Sequence, residues 1–423
     1  MLVALTFLLA CVPQFNGIDN VSSGSLQKKM ADPGVPMQVR VQILEELAER
    51  KGALNYELLE DSKAVARGEW VADYVRCLGR AGEEALPDLE KYARSRTPMI
   101  KAEAVYGMTM ADQKGGDRFA MGILRNERQP TIARVAALRG LADRGSILAH
   151  VEAVRRLSTA QGALLLEAIK VIGRNPCQDD IRYLIDVVDE REGRARHAAV
   201  LLLQEITGYK IGADARSWRY FFLKHRTEGT DFRHPKAGSG EDSDTISYMG
   251  IPLLGDKVIF VLDSSGSMNS NMGEQYGSRG QHAVRNLVQL LPRLPQSARF
   301  DVIFFDDGVS RLSSGKLLAR EESRINSATR WLENRHFDGG TNLFGGLEKA
   351  FTTEDVEEII LLTDGMPSAG SIQQPSRILS WINRRNRWKN IRISTIGLSA
   401  PGDSGRFLGK LAQQNSGVYR AIR

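Results

Sequence analysis

The stretch VIFVLDSSGSM, residues 258–268, changes in its middle from an apolar run to a series of oxygen-bearing side chains. Its first five residues are continuously apolar and rich in β-branched and aromatic types, which is typical of a strand buried on both faces. Asp263, Ser265 and Ser267 follow at alternate positions. A turn that leaves the strand can aim all three at one point, so this stretch favours a cation held by oxygen ligands.

The length and composition of the chain indicate a foldable soluble body with more than one domain. The chain has 423 residues, and domains average about 150 residues, so two or three units are expected. Apolar residues make up 42% and charged residues 26%, which argues against disorder and against a multi-span membrane protein. The net charge of +6 comes from basic residues dispersed among acids, so no nucleic-acid partner is expected.

The chain begins with the apolar run MLVALTFLLAC, residues 1–11. This run is too short to span a bilayer and has the length of a signal-peptide core, so residues 1–20 are predicted to be a signal peptide or lipoprotein signal. LLAC resembles a bacterial lipobox, in which Cys11 would carry a lipid anchor. The alternative is a misplaced start with simple signal cleavage nearby. We therefore expect an exported, periplasmic or envelope-associated protein, or a cytoplasmic one if the N-terminus is not a signal.

Residues 36–225 show apolar side chains at three-to-four spacing and few β-branched runs, which predicts helices. Four segments align on a small residue that is followed four positions later by a large apolar one. The small residues recur at intervals of 31 to 33 residues: Ala104, Ala137, Ala168 and Ala199. A period of this size is typical of stacked helical hairpins, in which each pair buries its face against its neighbours.

These alanines, together with the Thr-Pro and Pro-Thr pairs that start helices, resemble HEAT repeats. The resemblance implies an all-α, HEAT-like solenoid over residues 36–225. Its last segment contains Trp218, Phe221 and Phe222, which are expected to cap the final layer. Residues 226–249 bring Gly, Ser, Asp and Thr in quick succession without a period, and are predicted to be a flexible linker.

Residues 250–423 alternate short apolar runs with helical segments. The expected strands are VIFVL, FDVIFF, EEIILL, IRISTIGL and VYRAI. Continuous apolar strands that alternate with helices indicate a parallel sheet covered on both faces. The predicted fold is a doubly wound α/β sheet, Rossmann-like, preceded by the all-α solenoid.

Three loops of this predicted sheet carry oxygen-bearing side chains. They are DSSGSM, DGGTN at residues 338–342, and the end of LLTDG. Ligands bind at the carboxyl ends of the strands in such sheets, so we expect these loops to meet. The candidate ligands are two carboxylates and three hydroxyls: Asp263, Ser265, Ser267, Thr341 and Asp364. A set of oxygens without thiolate or imidazole favours one hard cation, Mg²⁺ or Mn²⁺, with Ca²⁺ as an alternative.

At these residues the chain resembles the von Willebrand factor type A domain, whose metal-ion-dependent adhesion site is DxSxS, a later threonine and a later aspartate. The resemblance covers residues 250–423. It implies that Asp263, Ser265 and Ser267 ligate the cation directly or through water, that Thr341 joins when a ligand is engaged, and that Asp364 acts through water. It also implies that an acidic side chain of a partner protein fills the open position. The preceding HEAT-like array resembles a bacterial group with this two-domain layout.

One class of enzyme shares part of this pattern, the haloacid-dehalogenase-type phosphatases, which also end an apolar strand with an aspartate. Their chemistry requires a second carboxylate two positions later as general acid, and that position is Ser265 here. A P-loop motif is absent, and AGSGE at residues 237–241 lacks the setting of a nucleophile elbow. The histidines and cysteines show no metal-ligand spacing, and Cys77 and Cys177 are expected to be buried or half-buried. No catalytic residue is predicted.

The predicted function is non-enzymatic binding of a protein partner through the cation, in adhesion or in complex assembly. One alternative is an accessory subunit of an ATPase-driven assembly or chaperone system. Another is a structural scaffold whose metal only stiffens the domain. An ATPase encoded next door would favour the accessory role, whereas labelling at the surface of intact cells would favour adhesion.

Overall fold

The computed structural model describes residues 21–228 and 246–422, without 33, 36, 274, 401 and most positions from 51 to 69. The predicted signal segment 1–20 with Cys11, and most of the predicted linker 226–249, lie outside the described residues. The chain divides into two compact units, 1–146 and 147–423. None of the described helices is long and apolar enough to cross a membrane.

The described part of the first unit is helical, as the three-to-four spacing predicts. Its helices are α1 (Ser23–Ala31), α2 (Met37–Glu49), α3 (Trp70–Leu78), α4 (Leu86–Ala93), α5 (Pro98–Ala111), α6 (Gly116–Arg125) and α7 (Thr131–Asp143). Pro98 opens α5, where its missing N–H costs nothing because the first amides of a helix have no intrahelical partner.

Small residues set the helix contacts of this unit. Ala104 and Ala137, which the repeat places at equivalent positions, are both fully buried. A close backbone approach lies three residues after Ala104, where a Cβ added to Gly107 would lie 2.9 Å from the Cα of Gly79, the residue after α3. Since no real Cβ contact is that short, α3 and α5 can approach this closely only because both positions are glycine.

The second unit begins with five more helices. They are α8 (Ile147–Thr159), α9 (Gly162–Arg174), α10 (Asp180–Glu190), α11 (Gly193–Thr207) and α12 (Ala215–Glu228). The repeated Ala168 and Ala199 are again fully buried, in α9 and α11. Trp218 of the predicted terminal cap is buried and donates its indole N–H to the carbonyl of Gly212 at 2.9 Å.

The remainder of the second unit contains an α/β sheet. Two short strands precede it and pair antiparallel with each other: β1 (Ser247–Tyr248) and β2 (Ile251–Pro252). The strands of the sheet itself are β3 (Lys257–Asp263), β4 (Arg299–Phe305), β5 (Val309–Arg311), β6 (Leu318–Ala319), β7 (Glu358–Thr363), β8 (Arg392–Leu398) and β9 (Tyr419–Ile422). The interleaved helices are α13 (Arg279–Leu290), α14 (Glu322–Glu333), α15 (Leu343–Phe351), α16 (Pro375–Asn386) and α17 (Asp403–Gln414).

The strand order β5-β4-β3-β7-β8-β9 confirms the doubly wound arrangement, with β3 parallel to both of its neighbours. Alternate residues of β3 enter opposite cores: Phe260 and Leu262 pack on one face, Ile259 and Val261 on the other. Burial on both faces explains why the strand is continuously apolar. The short strands β5 and β6 pair antiparallel with β4, and the sequence did not predict them because they contain only three and two residues.

The edges of the predicted linker 226–249 differ from the structure. Helix α12 continues to Glu228, and the sheet domain begins with β1 rather than at residue 250. Tyr248 is fully buried in the core on one face of the sheet, and its hydroxyl donates to the carbonyl of Ala283 at 3.0 Å. The burial of this large ring makes β1 part of the domain.

Helices α9 and α11 contact the sheet domain through polar groups, of which Glu167, Arg194 and Asn390 are buried. Arg194 of α11 donates to the carbonyls of Glu357, at 2.8 Å, and of Asn390. Lys170 of α9 donates to the side-chain oxygen of Asn390 at 2.7 Å, and the Asn390 amide donates to Glu167 at 3.1 Å. Burial lowers the pKa of Arg194 to about 10. The sequence predicts α9 and α11 as part of the helical array. Because of these contacts, they belong to the same compact unit as the sheet.

Candidate metal centre

The candidate site lies at the carboxyl ends of β3 and β7, where three loops meet. The loop after β3 and the loop before α15 are joined by two backbone hydrogen bonds, from Gly266 N to Gly339 O at 3.0 Å and from Asp338 N to Ser264 O at 2.9 Å. The parallel direction of the two strands brings both ends to the same edge of the sheet, as expected for a doubly wound fold.

Asp263 ends β3 and is 1% exposed. One carboxylate oxygen accepts from the backbone N–H of Ser265 at 2.8 Å, and the other accepts from the hydroxyl of Thr363 at 2.5 Å. Burial raises the pKa of Asp263 to about 6, although hydrogen bonds from Ser265 and Thr363 lower it in part, and the nearby charge of Asp364 raises it further. The site therefore holds a carboxylate whose negative charge is poorly compensated.

Ser265, Ser267 and Asp364 form a continuous chain of oxygens beside this carboxylate. The hydroxyls of Ser265 and Ser267 lie 3.1 Å apart, and the Ser267 hydroxyl donates to Asp364 at 2.7 Å. Ser265 and Asp364 are buried, whereas Ser267 is exposed. The site thus opens to solvent on the side of Ser267.

Thr341 is brought to the same edge through its main chain. Its N–H donates to the hydroxyl of Ser368 at 3.0 Å, and its carbonyl accepts from the N–H of Ser368 at 3.1 Å. The residue is 5% exposed. These two bonds fix the loop of Thr341 to the loop after β7, which also carries Asp364.

Arg279 also belongs to this site, and sequence reasoning missed it. It is the first residue of α13, and its Nη1 donates to the second carboxylate oxygen of Asp364 at 2.7 Å. Its Nε is buried and has no hydrogen-bond partner among the described residues. The signal that could have located it is the helix start: Ser278 and Gln281 form a capping box that fixes where α13 begins.

Other aspartates near the site have roles in the loops. Asp306 accepts from Gly308 N at 2.8 Å and pairs with Arg335. Asp307 accepts from Gly340 N at 2.9 Å, and Asp338 accepts from Gly339 N at 2.7 Å. These bonds shape the turns that surround the candidate ligands.

The donor set matches a hard divalent cation. It offers carboxylate and hydroxyl oxygens only, which suit Mg²⁺ or Mn²⁺ and give no preference to Zn²⁺. Arg279 pairs with Asp364, and no ion pair to Asp263 is found in the described part of the chain, so with both carboxylates ionised the pair of acids keeps a net negative charge. Burial is the main cause of the raised pKa of Asp263, and the neighbouring charge of Asp364 adds to it.

Comparison with known proteins agrees with this fold. Residues 256–421 match the family model of the von Willebrand factor type A domain. The chain therefore carries such a domain, preceded by a helical region, and the fold expected from the motif is confirmed.

The matches to curated relatives cover about two fifths of this chain. Inter-alpha-trypsin inhibitor heavy chain H2 from Mesocricetus auratus is 27% identical over 177 residues, which are 39% of this chain and 18% of the relative. Von Willebrand factor A domain-containing protein 3A from Homo sapiens is 26% identical over 170 residues, 40% of this chain and 13% of the relative. A solved von Willebrand factor type A structure from Catenulispora acidiphila is 22% identical with a TM-score of 0.34, and the match covers 40% of this chain and 38% of that one. The chain thus spans less than a fifth of the length of these curated relatives.

Proposed function

We propose that the chain is a non-enzymatic protein that binds a protein partner through one Mg²⁺ or Mn²⁺ ion. Asp263, Ser265 and Ser267 would hold the ion, with Thr341 and Asp364 completing the set directly or through water. The observation that supports this proposal is the hydrogen-bonded cluster of Asp263, Ser265, Ser267 and Asp364 at one edge of the sheet, with the loop of Thr341 bonded through its main chain to the loop after β7.

Charge favours an acidic group on the partner. When bound, the cation supplies an open coordination position that a carboxylate can fill. Together with Arg279, the divalent ion would outweigh Asp263 and Asp364 and turn a net negative site into a positive one. A carboxylate that approaches past the exposed Ser267 would then form a charge-assisted contact in a partly desolvated place.

Thr341 is proposed to respond to the partner more than to the ion. It lies on a different loop from the DxSxS residues and is held by its main chain, so its hydroxyl can adjust without disturbing Asp263. The helical array would supply a further surface for the same or another partner. Export of the protein, indicated by residues 1–11, is part of the proposal and would place the binding in the cell envelope.

The first part of the test is calorimetric titration of the full chain with MgCl₂, with MnCl₂ and, as a comparison, with ZnCl₂. We expect one site for Mg²⁺ in the wild type and none in Asp263→Ala. Asp403→Ala is the matched control, because its side chain is 77% exposed at the start of α17. Equal Mg²⁺ binding by Asp263→Ala and wild type would contradict the metal assignment.

The second part tests the partner. The immobilised chain is exposed to an envelope extract in Mg²⁺, washed, and treated with EDTA. Proteins that bind through the ion should be released by EDTA, should rebind when Mg²⁺ is restored, and should be lost in Thr341→Ala even though that variant retains most of its Mg²⁺ affinity. If EDTA does not release the captured proteins, the partner binds to the helices and the ion has only a structural role.

A further inference from the structure

A second cluster of potential metal ligands lies in the helices of unit 147–423, and it differs in chemistry from the sheet-edge site. His150 lies in α8, Cys177 in the turn before α10, and Asp180 at the first position of α10. The three ligand atoms, one from each residue, lie within 4.8 Å of one another. The sequence does not reveal this cluster, because the three residues have no recognised metal-ligand spacing and come from separate elements.

The cluster is built around a buried carboxylate. Asp180 is 1% exposed, yet both of its oxygens are engaged: one lies 3.0 Å from His150 Nε2, and the other accepts from the N–H of Cys177 at 2.7 Å. The backbone bond to Cys177 holds the carboxylate in place, and it also folds the turn so that the thiol lies beside it. Cys177, expected to be at least half-buried, is exposed, because it stands in the short turn between α9 and α10.

The distance between His150 and Asp180 is close to that between two ligands of a tetrahedral ion. Zinc binds histidine nitrogen at about 2.0 Å, carboxylate oxygen at about 2.1 Å and thiolate sulfur at about 2.3 Å. Such bonds place a nitrogen and an oxygen ligand about 3.3 Å apart, so His150 Nε2 and the Asp180 oxygen, now 3.0 Å apart, need to separate only slightly. The ion would replace the proton that these two atoms share.

We propose that His150, Cys177 and Asp180 form a second metal site, which binds a borderline divalent cation of the zinc class. Nitrogen, sulfur and oxygen ligands together select Zn²⁺ or Co²⁺ over Mg²⁺. The thiolate and the carboxylate together neutralise the charge of the ion. Three protein ligands leave the fourth position to water, on the exposed side where Cys177 lies. The bound ion links α8 to the start of α10.

The test uses the full chain without a polyhistidine tag and Co²⁺ as a spectroscopic probe for Zn²⁺. We expect one equivalent of Co²⁺ to give tetrahedral visible bands and a thiolate charge-transfer band in the near ultraviolet, and Zn²⁺ to displace it. The charge-transfer band should vanish in Cys177→Ser and remain in Asp263→Ala, since the sheet-edge site has no sulfur. Affinity for Zn²⁺ should fall by at least about tenfold in His150→Gln, whereas His282→Gln serves as a histidine control.

A variant could lose metal binding simply because it fails to fold, so a further measurement uses the wild-type chain. Alkylation of Cys177 by iodoacetamide, followed by mass spectrometry of its peptide, should slow at least about tenfold in Zn²⁺ and stay unchanged in Mg²⁺. An unchanged alkylation rate in Zn²⁺, or a charge-transfer band that persists in Cys177→Ser, would overturn the proposal. Neither result depends on the Mg²⁺ site, so failure of one proposal leaves the other standing.

Discussion

Two buried aspartates, one in each compact unit, show opposite electrostatics. Burial alone would raise the pKa of Asp88 in α4, but hydrogen bonds from Tyr56, Lys63 and Lys91 lower it to about 2. Burial raises the pKa of Asp263 to about 6, and the hydrogen bonds it receives come from hydroxyls and a backbone amide. The helical unit thus supplies two ammonium groups to Asp88, whereas the donors to Asp263 at the sheet edge are neutral.

The difference separates a structural acid from a candidate ligand. Asp88 has its counter-charges within the chain, so its ionised form stabilises the fold. Asp263 has no positively charged partner among the residues that the structure describes, so its ionised form costs stability until a cation from outside compensates it. A buried carboxylate whose charge costs the fold is a better indicator of function than burial alone.

The largest effect is expected for Asp263→Asn. At pH 7 in EDTA, the substitution should stabilise the sheet domain by about 2–3 kcal/mol, because it removes a buried charge with a raised pKa. It should also abolish Mg²⁺ binding. Urea unfolding, with hydrogen exchange of β3 to identify the transition, measures the first effect, and calorimetry measures the second.

The stability gain of Asp263→Asn should also depend on pH. The favourable contribution of protonated Asp263 is fully present below about pH 3.8, the ordinary value, and is lost as the pH rises through about 6. The gain from Asp263→Asn should therefore shrink toward zero as the pH falls from 7 to 4. A gain that stays constant over this range would show that Asp263 is compensated in the metal-free protein.

A smaller effect of opposite sign is expected for Asp88→Asn. The variant should lose about 1–2 kcal/mol at pH 7, because Lys63 and Lys91 would lose their buried partner; both lysines are partly solvated, which limits the loss. The contribution of Asp88 is present above about pH 3.8 and is lost as the pH falls through about 2. Urea unfolding at pH 7 and at pH 3 should show the loss diminishing, and a stabilised variant at pH 7 would remove the contrast with Asp263.

The smallest effect is expected for Arg279, whose guanidinium pairs with Asp364 at the sheet edge. Arg279→Gln should tighten Mg²⁺ binding about fivefold, since a positive charge held 2.7 Å from Asp364 opposes the ion through partly screened electrostatics. Arg324→Gln, an exposed ion-pair residue of α14, is the control. Weaker Mg²⁺ binding in the calorimeter would instead mean that Arg279 orients Asp364 toward the ion.

Much of the sheet domain could be predicted because its order follows from local patterns. A five-residue apolar run has to be buried on both faces, and a parallel sheet places every such strand end at one edge. Asp263, Asp364 and the residues of DSSGSM were therefore expected to meet, and the structure brings Asp263, Ser265, Ser267 and Asp364 into one hydrogen-bonded cluster. The strands β5 and β6 were not predicted, because a segment of two or three residues is too short to show an alternating pattern.

By itself, the sequence determined the helical region, the five parallel strands of the sheet, their loops and the oxygen character of the candidate ligands, since these depend on periodicity and on residue type. Only the tertiary structure decided which charges face one another. Arg279 reaches Asp364 because the capping box starts α13 at that loop, and His150 meets Cys177 and Asp180 because α8 packs beside α10. Electrostatic contacts act over a few ångströms in space, and the chain leaves no local pattern to mark residues that only folding brings together.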